Sequence, residues 1–194
     1  MIFMPTNNTG KIVKELAKNF PEKIALLLNP REIKPCQLKF KYALDNDCFN
    51  NFNEKKYFKA LDKITNPIFV TCPDVVGCHS RTYALWQYYY PKIKLYNFPV
   101  AFVAQDGCRP DTVPKEADWI FIGGLDPWKI NNIHKFIGNK PVHVGRVNGI
   151  GRLKYCESLG VSSIDGTGWL RQRGKQFNDL MEYFKGEKQY GLFT

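Results

Sequence analysis

Acids and amides recur at one kind of place in this chain, directly after short apolar runs. Asp45 follows the run Phe40 to Leu44, Asp74 comes shortly after Pro67 to Thr71, and Asp165 follows Ser162 to Ile164. Gln105 and Asp106 follow Val100 to Ala104, and Gly123, Gly124 and Leu125 follow Trp119 to Ile122. Gly145, Arg146 and Asn148 follow Val142 to Val144. Several carboxylates around one opening are what glycosidic chemistry requires: one attacks the sugar carbon and another manages the proton of the leaving group. A side-chain amide and glycine backbone groups suit the edge of a purine, which offers both donors and acceptors. Each feature also has a plainer reading. Asp165-Gly166 is a common turn dipeptide, Asp45 and Asp74 can cap helices, and Gly123-Gly124 can be a simple turn. The coincidence across six run ends carries the weight, because a sheet that merely turned there would not need Gln105, nor acids at three separate ends.

The elements that must position these groups are legible in the apolar pattern. Eight short bursts have strand length: Ile2 to Met4, Ile24 to Leu28, Phe40 to Leu44, Pro67 to Thr71, Val100 to Ala104, Trp119 to Ile122, Val142 to Val144 and Ser162 to Ile164. Several are almost continuously apolar, as parallel strands covered on both faces are. Between most of them lie helical stripes, such as apolar positions 12, 13, 16, 17 and 20, or 57, 58, 61 and 64. The segment after Cys78-His79 opens with Ser80 as a candidate N-cap and is expected to stop near Pro91. Two further stripes end at Gly138 and Gly160, and a last one runs from Lys175 to Gly186. The link between the second and third bursts carries no clear helix. Eight strands alternating with helices predict a compact (β/α)8 barrel of the TIM type, one domain over residues 1–194. The rival is an open doubly wound sheet, which wants a Gly-x-Gly-x-x-Gly loop after its first strand. The nearest candidate, Gly145 to Gly151, comes late and has the wrong spacing.

Lysine and arginine exceed the acids by ten, which favours a polyanionic partner over a neutral one, although a basic surface also serves solubility. No apolar run has the length of a membrane span, and no charged leader precedes an apolar core, so neither a membrane partner nor a signal peptide is expected. The six cysteines lack the C-x-x-C spacing of a zinc or redox site, which suits free thiols in a reducing cytoplasm. Cys78-His79 is at most half a metal site, with no matching pair after it.

The ordered segments resemble the tRNA-guanine transglycosylases and their DNA-modifying relatives, (β/α)8 barrels that exchange guanine for a 7-deazaguanine. FMPTNNTGKIVKEL is similar to the family's opening strand and helix, and ALDNDCF to its Asp-Ser-Gly-Gly-Phe segment, which implies a general acid/base at Asp45. FVTCPDVV resembles the strand that ends in the base-recognising acid, here Asp74. VAQDG looks like Val-Gln-Gly-Gly, so Gln105 would read the base, and IFIGGL looks like the segment whose backbone reads it, here Gly123, Gly124 and Leu125. HVGRVNGIGRLKYCESLGVSSID is similar to the run into the nucleophilic aspartate, which implies Asp165. Asn46-Asp47 replaces the family's double glycine, which implies a different base pocket. The Cys-x-Cys-x-x-Cys…His zinc site that follows the nucleophile in the tRNA enzymes does not follow Asp165, so no metal is expected and DNA is favoured over tRNA. The likeness is thus greatest to minimal phage and bacterial enzymes that place 7-deazaguanines in DNA.

The resemblance implies double displacement at the sugar C1′ with no cofactor. A flipped-out guanine would be held by Asp74, Gln105 and the Gly123-Gly124 backbone. Asp165 would attack, Asp45 would handle the proton, and a free 7-deazaguanine base would complete the exchange. Arg146, Arg152, Arg171, Arg173 and Lys175 would line the rim and hold phosphates, unless they form an ordinary solvated basic face. Related enzymes often work as dimers, so a homodimer belongs to the expectation. Two competing readings share these features: a hydrolytic base-removing glycosylase, and a non-catalytic nucleic-acid-binding module. Clustered acids speak against the second, because they repel phosphates.

Overall fold

A computed structural model describes residues 1–170 and 174–190, the side chains of 187–190 excepted. Eight strands form the (β/α)8 barrel that the sequence predicts. They are β1 (Ile2–Met4), β2 (Leu26–Leu28), β3 (Tyr42–Leu44), β4 (Val70–Thr71), β5 (Val100–Ala104), β6 (Trp119–Ile122), β7 (Val142–Val144) and β8 (Ser163–Asp165). Consecutive strands pair in parallel from β2 through to β8, and β8 pairs with β1. Parallel bridges between Phe3 and Ile24 and between Thr6 and Leu27 join β1 to β2 and nearly close the ring.

Six α-helices are described: α1 (Lys11–Asn19), α2 (Glu54–Leu61), α3 (His79–Lys94), α4 (Asp126–Asn132), α5 (Ile150–Ser158) and α6 (Lys175–Tyr190). Two connections manage without one. The β2–β3 link, which shows no helical stripe in the sequence, holds only a 3-10 turn at Gln37–Lys39, and the β5–β6 link holds another at Pro110–Thr112. This economy lets so short a chain complete eight strands. None of the described helices is long and apolar enough to cross a membrane.

The third helix departs from expectation at both ends. Cys78, not Ser80, is its N-cap, because Thr82 is buried in the first turn and its hydroxyl contacts the Cys78 carbonyl at 2.8 Å. At the other end α3 continues through Pro91 to Lys94. Pro91 and Gln87 are exposed, so the carbonyl that loses its donor meets water, while fully buried Ile93 anchors the last turn.

Alternation along the strands divides the core. Phe3, Leu26, Leu28, Leu44, Phe102 and Ile122 belong to the larger cluster, which includes helix residues such as Leu16 and Trp86. Met4, Leu27, Ala43, Phe69 and Ala101 pack with Trp119 and Phe121 inside the barrel. Small residues there leave room for aromatic rings: Phe69 and Trp119 lie 4.8 Å apart. The same two-residue period carried one step further places Asp45 above Ala43, Gly123 above Phe121 and Asp165 above Ser163. The register therefore aims these positions at the C-terminal mouth, where barrel enzymes do their chemistry.

Candidate active site

Asp45 leaves β3 with its N–H donated to the Leu28 carbonyl (2.8 Å), and its Oδ1 accepts the Asn46 N–H (2.9 Å). Burial pushes its carboxyl up to about 7, and the nearby charges of Asp165 and then Asp74 push the same way. Asp165 and Asp74, from two other strand ends, are thus both within electrostatic reach of Asp45.

Asp165 is the last residue of β8, paired in register with Met4, so the acid lies inside the strand rather than just beyond it. The Arg146 N–H donates to its Oδ1 (3.1 Å), and His143 Nε2 lies 3.0 Å from its Oδ2. His143 is fully buried on β7, with Nδ1 2.8 Å from the Ser163 hydroxyl and its ring centre 4.4 Å from that of Phe121. An ionised carboxylate only accepts, so Nε2 donates to Asp165; a neutral ring then accepts the Ser163 hydroxyl at Nδ1. Both carboxylate oxygens are oriented by donors from β7 and the loop just after it.

Asp74 is buried in the loop after β4. Its Oδ1 accepts from Asn46 Nδ2 (2.7 Å) and its Oδ2 from Gln105 Nε2 (2.6 Å). Burial raises its carboxyl from the usual range, against the opposing pull of hydrogen bonds from Asn46, Cys48 and Gln105. Gln105, also buried, receives the Gly77 and Gly124 N–H groups on Oε1 at 2.8 and 2.9 Å. It therefore braces the loops after β4 and β6 against each other. Gly123 must be glycine here, since a Cβ would come within 2.5 Å of Gln105 Nε2. Gly124 has φ +72°, the left-handed region, and places its N–H on Gln105. The Gly123 N–H is taken by the Ala104 carbonyl (2.9 Å) and the Leu125 N–H by Asp106 (2.8 Å). The groups expected to read a base are together at the mouth, and here they hydrogen-bond within the protein.

Gln105→Ala would leave two backbone N–H groups and one carboxylate oxygen without their partner. The expected cost is about 2–3 kcal/mol of stability, read from the midpoint of urea unfolding at unchanged slope.

Of the expected rim cations, Arg146 reaches the mouth. Its guanidinium donates to the Gly124 carbonyl (2.6 Å) and lies 4.5 Å from the centre of the Phe49 ring. This contact joins the segments that follow β7 and β3, which stand on opposite sides of the ring of strands. Arg152 is instead engaged with Asp126 at 2.8 Å, and Lys175 is exposed at the start of α6. Arg171 and Arg173 lie outside the described residues. A surface hollow of about 480 Å³ between α5 and α6 is lined by none of Asp45, Asp74 and Asp165.

Sequence reasoning missed His143, Ser163 and Lys129, and named Asn46 only as a departure from the double glycine. The first two are polar residues set in apolar runs, directly paired in register, two positions before Gly145 and Asp165. Asn46 fills the place of an expected glycine, buried and bonded to Asp74 and to the Cys72 carbonyl (2.8 Å). Asp47, at φ +60°, is buried between Arg31, with which it pairs, and Asn50, whose amide donates to it. Lys129 lies in a helical stripe with nothing to mark it as buried, yet its ammonium donates to the Gly145 carbonyl (2.8 Å), and burial above all lowers its pKa.

Among the described residues no group of three or more His, Cys, Asp or Glu side chains could hold a metal ion, so Cys78-His79 finds no further ligands. Cys72, Cys108 and Cys156 are buried free thiols, whereas Cys36 is exposed. No protein-family model and no curated protein matches the chain.

Proposed function

We propose that the chain is a guanine transglycosylase that exchanges a guanine in a nucleic acid for a free 7-deazaguanine, with DNA the favoured polymer and tRNA the alternative. The observation that carries this reading is the meeting of Asp45, Asp74 and Asp165 at one barrel mouth, after β3, after β4 and at the end of β8, with Asp74 held by Asn46 and Gln105 and Asp165 by His143. A carboxyl that titrates near neutrality beside an oriented carboxylate suits a proton-handling group and a nucleophile.

In the first step an Asp165 oxygen attacks C1′, the C1′–N bond to guanine breaks, and guanine leaves with the bonding pair and a proton from Asp45. In the second, the incoming base gives a proton to Asp45, its nitrogen attacks C1′, and the Asp165–sugar ester breaks. Two inversions restore the original configuration. Asp74, with its oxygens held by Asn46 and Gln105, faces the purine edge. A base stacked in a duplex cannot reach acids set this deep at a barrel mouth, so the nucleotide enters flipped or from a single strand.

The test is incubation with labelled guanine and, separately, DNA and tRNA. Incorporation into either polymer supports exchange. Free guanine with an abasic product and no incorporation would mean hydrolysis instead. His143→Phe keeps a buried ring but removes the donor to Asp165. It is expected to slow exchange about 10- to 100-fold, the worth of one hydrogen bond to a charged group, with KM little changed in steady-state assays.

A further inference from the structure

The proposed rim does not account for a second cationic surface, which starts at the loop after β3. Two adjoining hollows of about 370 and 210 Å³ share Pro30, Arg31 and Lys56. The first is walled by Asn50, Asn51 and Asn53, the second by Lys59 and Lys63. Together they make a groove along α2 that begins where the chain leaves β3 after Asp45.

We propose that this groove seats the sugar–phosphate backbone of a single-stranded stretch flanking the target nucleotide, and that Phe49 stacks one of its bases. The inference rests on the nucleic-acid reading and adds the path by which the strand reaches the acids. Lys56 and Lys59 lie on one side of α2 and Lys63 just past its end. All three are exposed, and among the described residues none of their ammonium groups is committed to a hydrogen bond or ion pair. Arg152, by contrast, is engaged with Asp126. Arg31 uses its Nε on Asp47 and keeps a half-exposed side chain with further N–H donors. Uncommitted cations release counterions when phosphates replace them. Glu32 is the acid of the second hollow and lies 3.5 Å from Lys34. The three asparagine amides add neutral donors and acceptors of the kind that position a backbone.

At the groove's end the chain presents Phe49, 60% exposed, with Arg146 against its ring. A large exposed aromatic beside a cationic track is the combination that holds single strands, since every base has a π-face once it is unstacked. The strand would run along α2, stack at Phe49 and turn its next base down towards Asp45, Asp74 and Asp165.

The experiment measures binding of the full chain to fluorescent single-stranded DNA and RNA oligonucleotides that contain no guanine, over a salt series, so that it is independent of base exchange. Lys56→Glu with Lys59→Glu is expected to raise Kd at least tenfold. For two lost phosphate contacts the slope of log K against log salt should fall by about 1.4. Phe49→Ala should weaken binding about tenfold with the salt slope unchanged. The same charge change across the barrel, Lys135→Glu with Lys154→Glu, should alter Kd less than about threefold. Equal losses in both double variants would overturn the groove, as would no binding by the wild type. Competition by polyglutamate or anionic vesicles that equals competition by unlabelled oligonucleotide would also overturn it. Groove-dependent binding without guanine exchange would remove the enzymatic reading and leave the groove standing.

Discussion

Asp165→Asn is expected to reduce labelled-guanine exchange at least about 10⁴-fold, to the level left by binding and positioning alone. The substitution is nearly isosteric. The Asn side-chain oxygen can still accept one of the two donors, His143 or the Arg146 N–H, so the mouth should stay assembled. What disappears is the charged oxygen that forms the ester. A structural role for Asp165 would show the reverse pattern, a clear loss of stability with exchange per folded molecule preserved. Thermal melting of the variant alongside the exchange assay separates the two.

Asp45→Asn is expected to change how stability depends on pH. In the folded chain burial and the charges of Asp165 and Asp74 move this carboxyl from 3.8 to about 7. Because the folded pKa is the higher one, the unfolded chain gives up its proton first as pH rises. The stability contributed by the protonated group is complete below about pH 4, declines through the window up to about pH 7, and is gone above it. A three-unit shift corresponds to about 4 kcal/mol, and solvent at the mouth brings the expectation to about 2–4 kcal/mol. The Asn variant cannot titrate, so it should gain on the wild type by that amount between pH 4 and 8 in parallel urea titrations. Its exchange rate should fall about 10²- to 10⁴-fold, the usual worth of a general acid/base. A constant stability difference across this range would show that Asp45 is not held neutral by its surroundings.

The barrel was legible because its strands are almost uninterrupted apolar runs: β1, β5, β6 and β7 coincide with the bursts read from the sequence. The acids were legible for a related reason, as each follows an apolar run at or near the end of a strand. His143 broke a run too, but from inside it, and a lone polar residue in a buried strand does not announce its partner. Only the β7–β8 register, which sets His143 beside Ser163 and one step below Asp165, gives it meaning. For the rim, the sequence shows the cations but not their partners: Phe49 and Gly124 for Arg146, and Asp126 for Arg152, come from distant segments. Likewise, nothing in the sequence marks Lys56 and Lys59; only the fold brings the asparagine-rich loop and Arg31 to a groove beside them. The brace made by Gln105 is a three-way contact between loops, and a single residue's type cannot reveal it.

The most direct measurement is intact mass spectrometry of the wild-type chain, acid-quenched after incubation with a guanine-containing single-stranded oligonucleotide. The predicted species weighs the protein plus the oligonucleotide minus one guanine, maps to the peptide carrying Asp165, and is absent from Asp165→Asn. Exchange of labelled guanine without any such adduct, or an adduct that persists in Asp165→Asn, would contradict the assignment of Asp165 as the nucleophile.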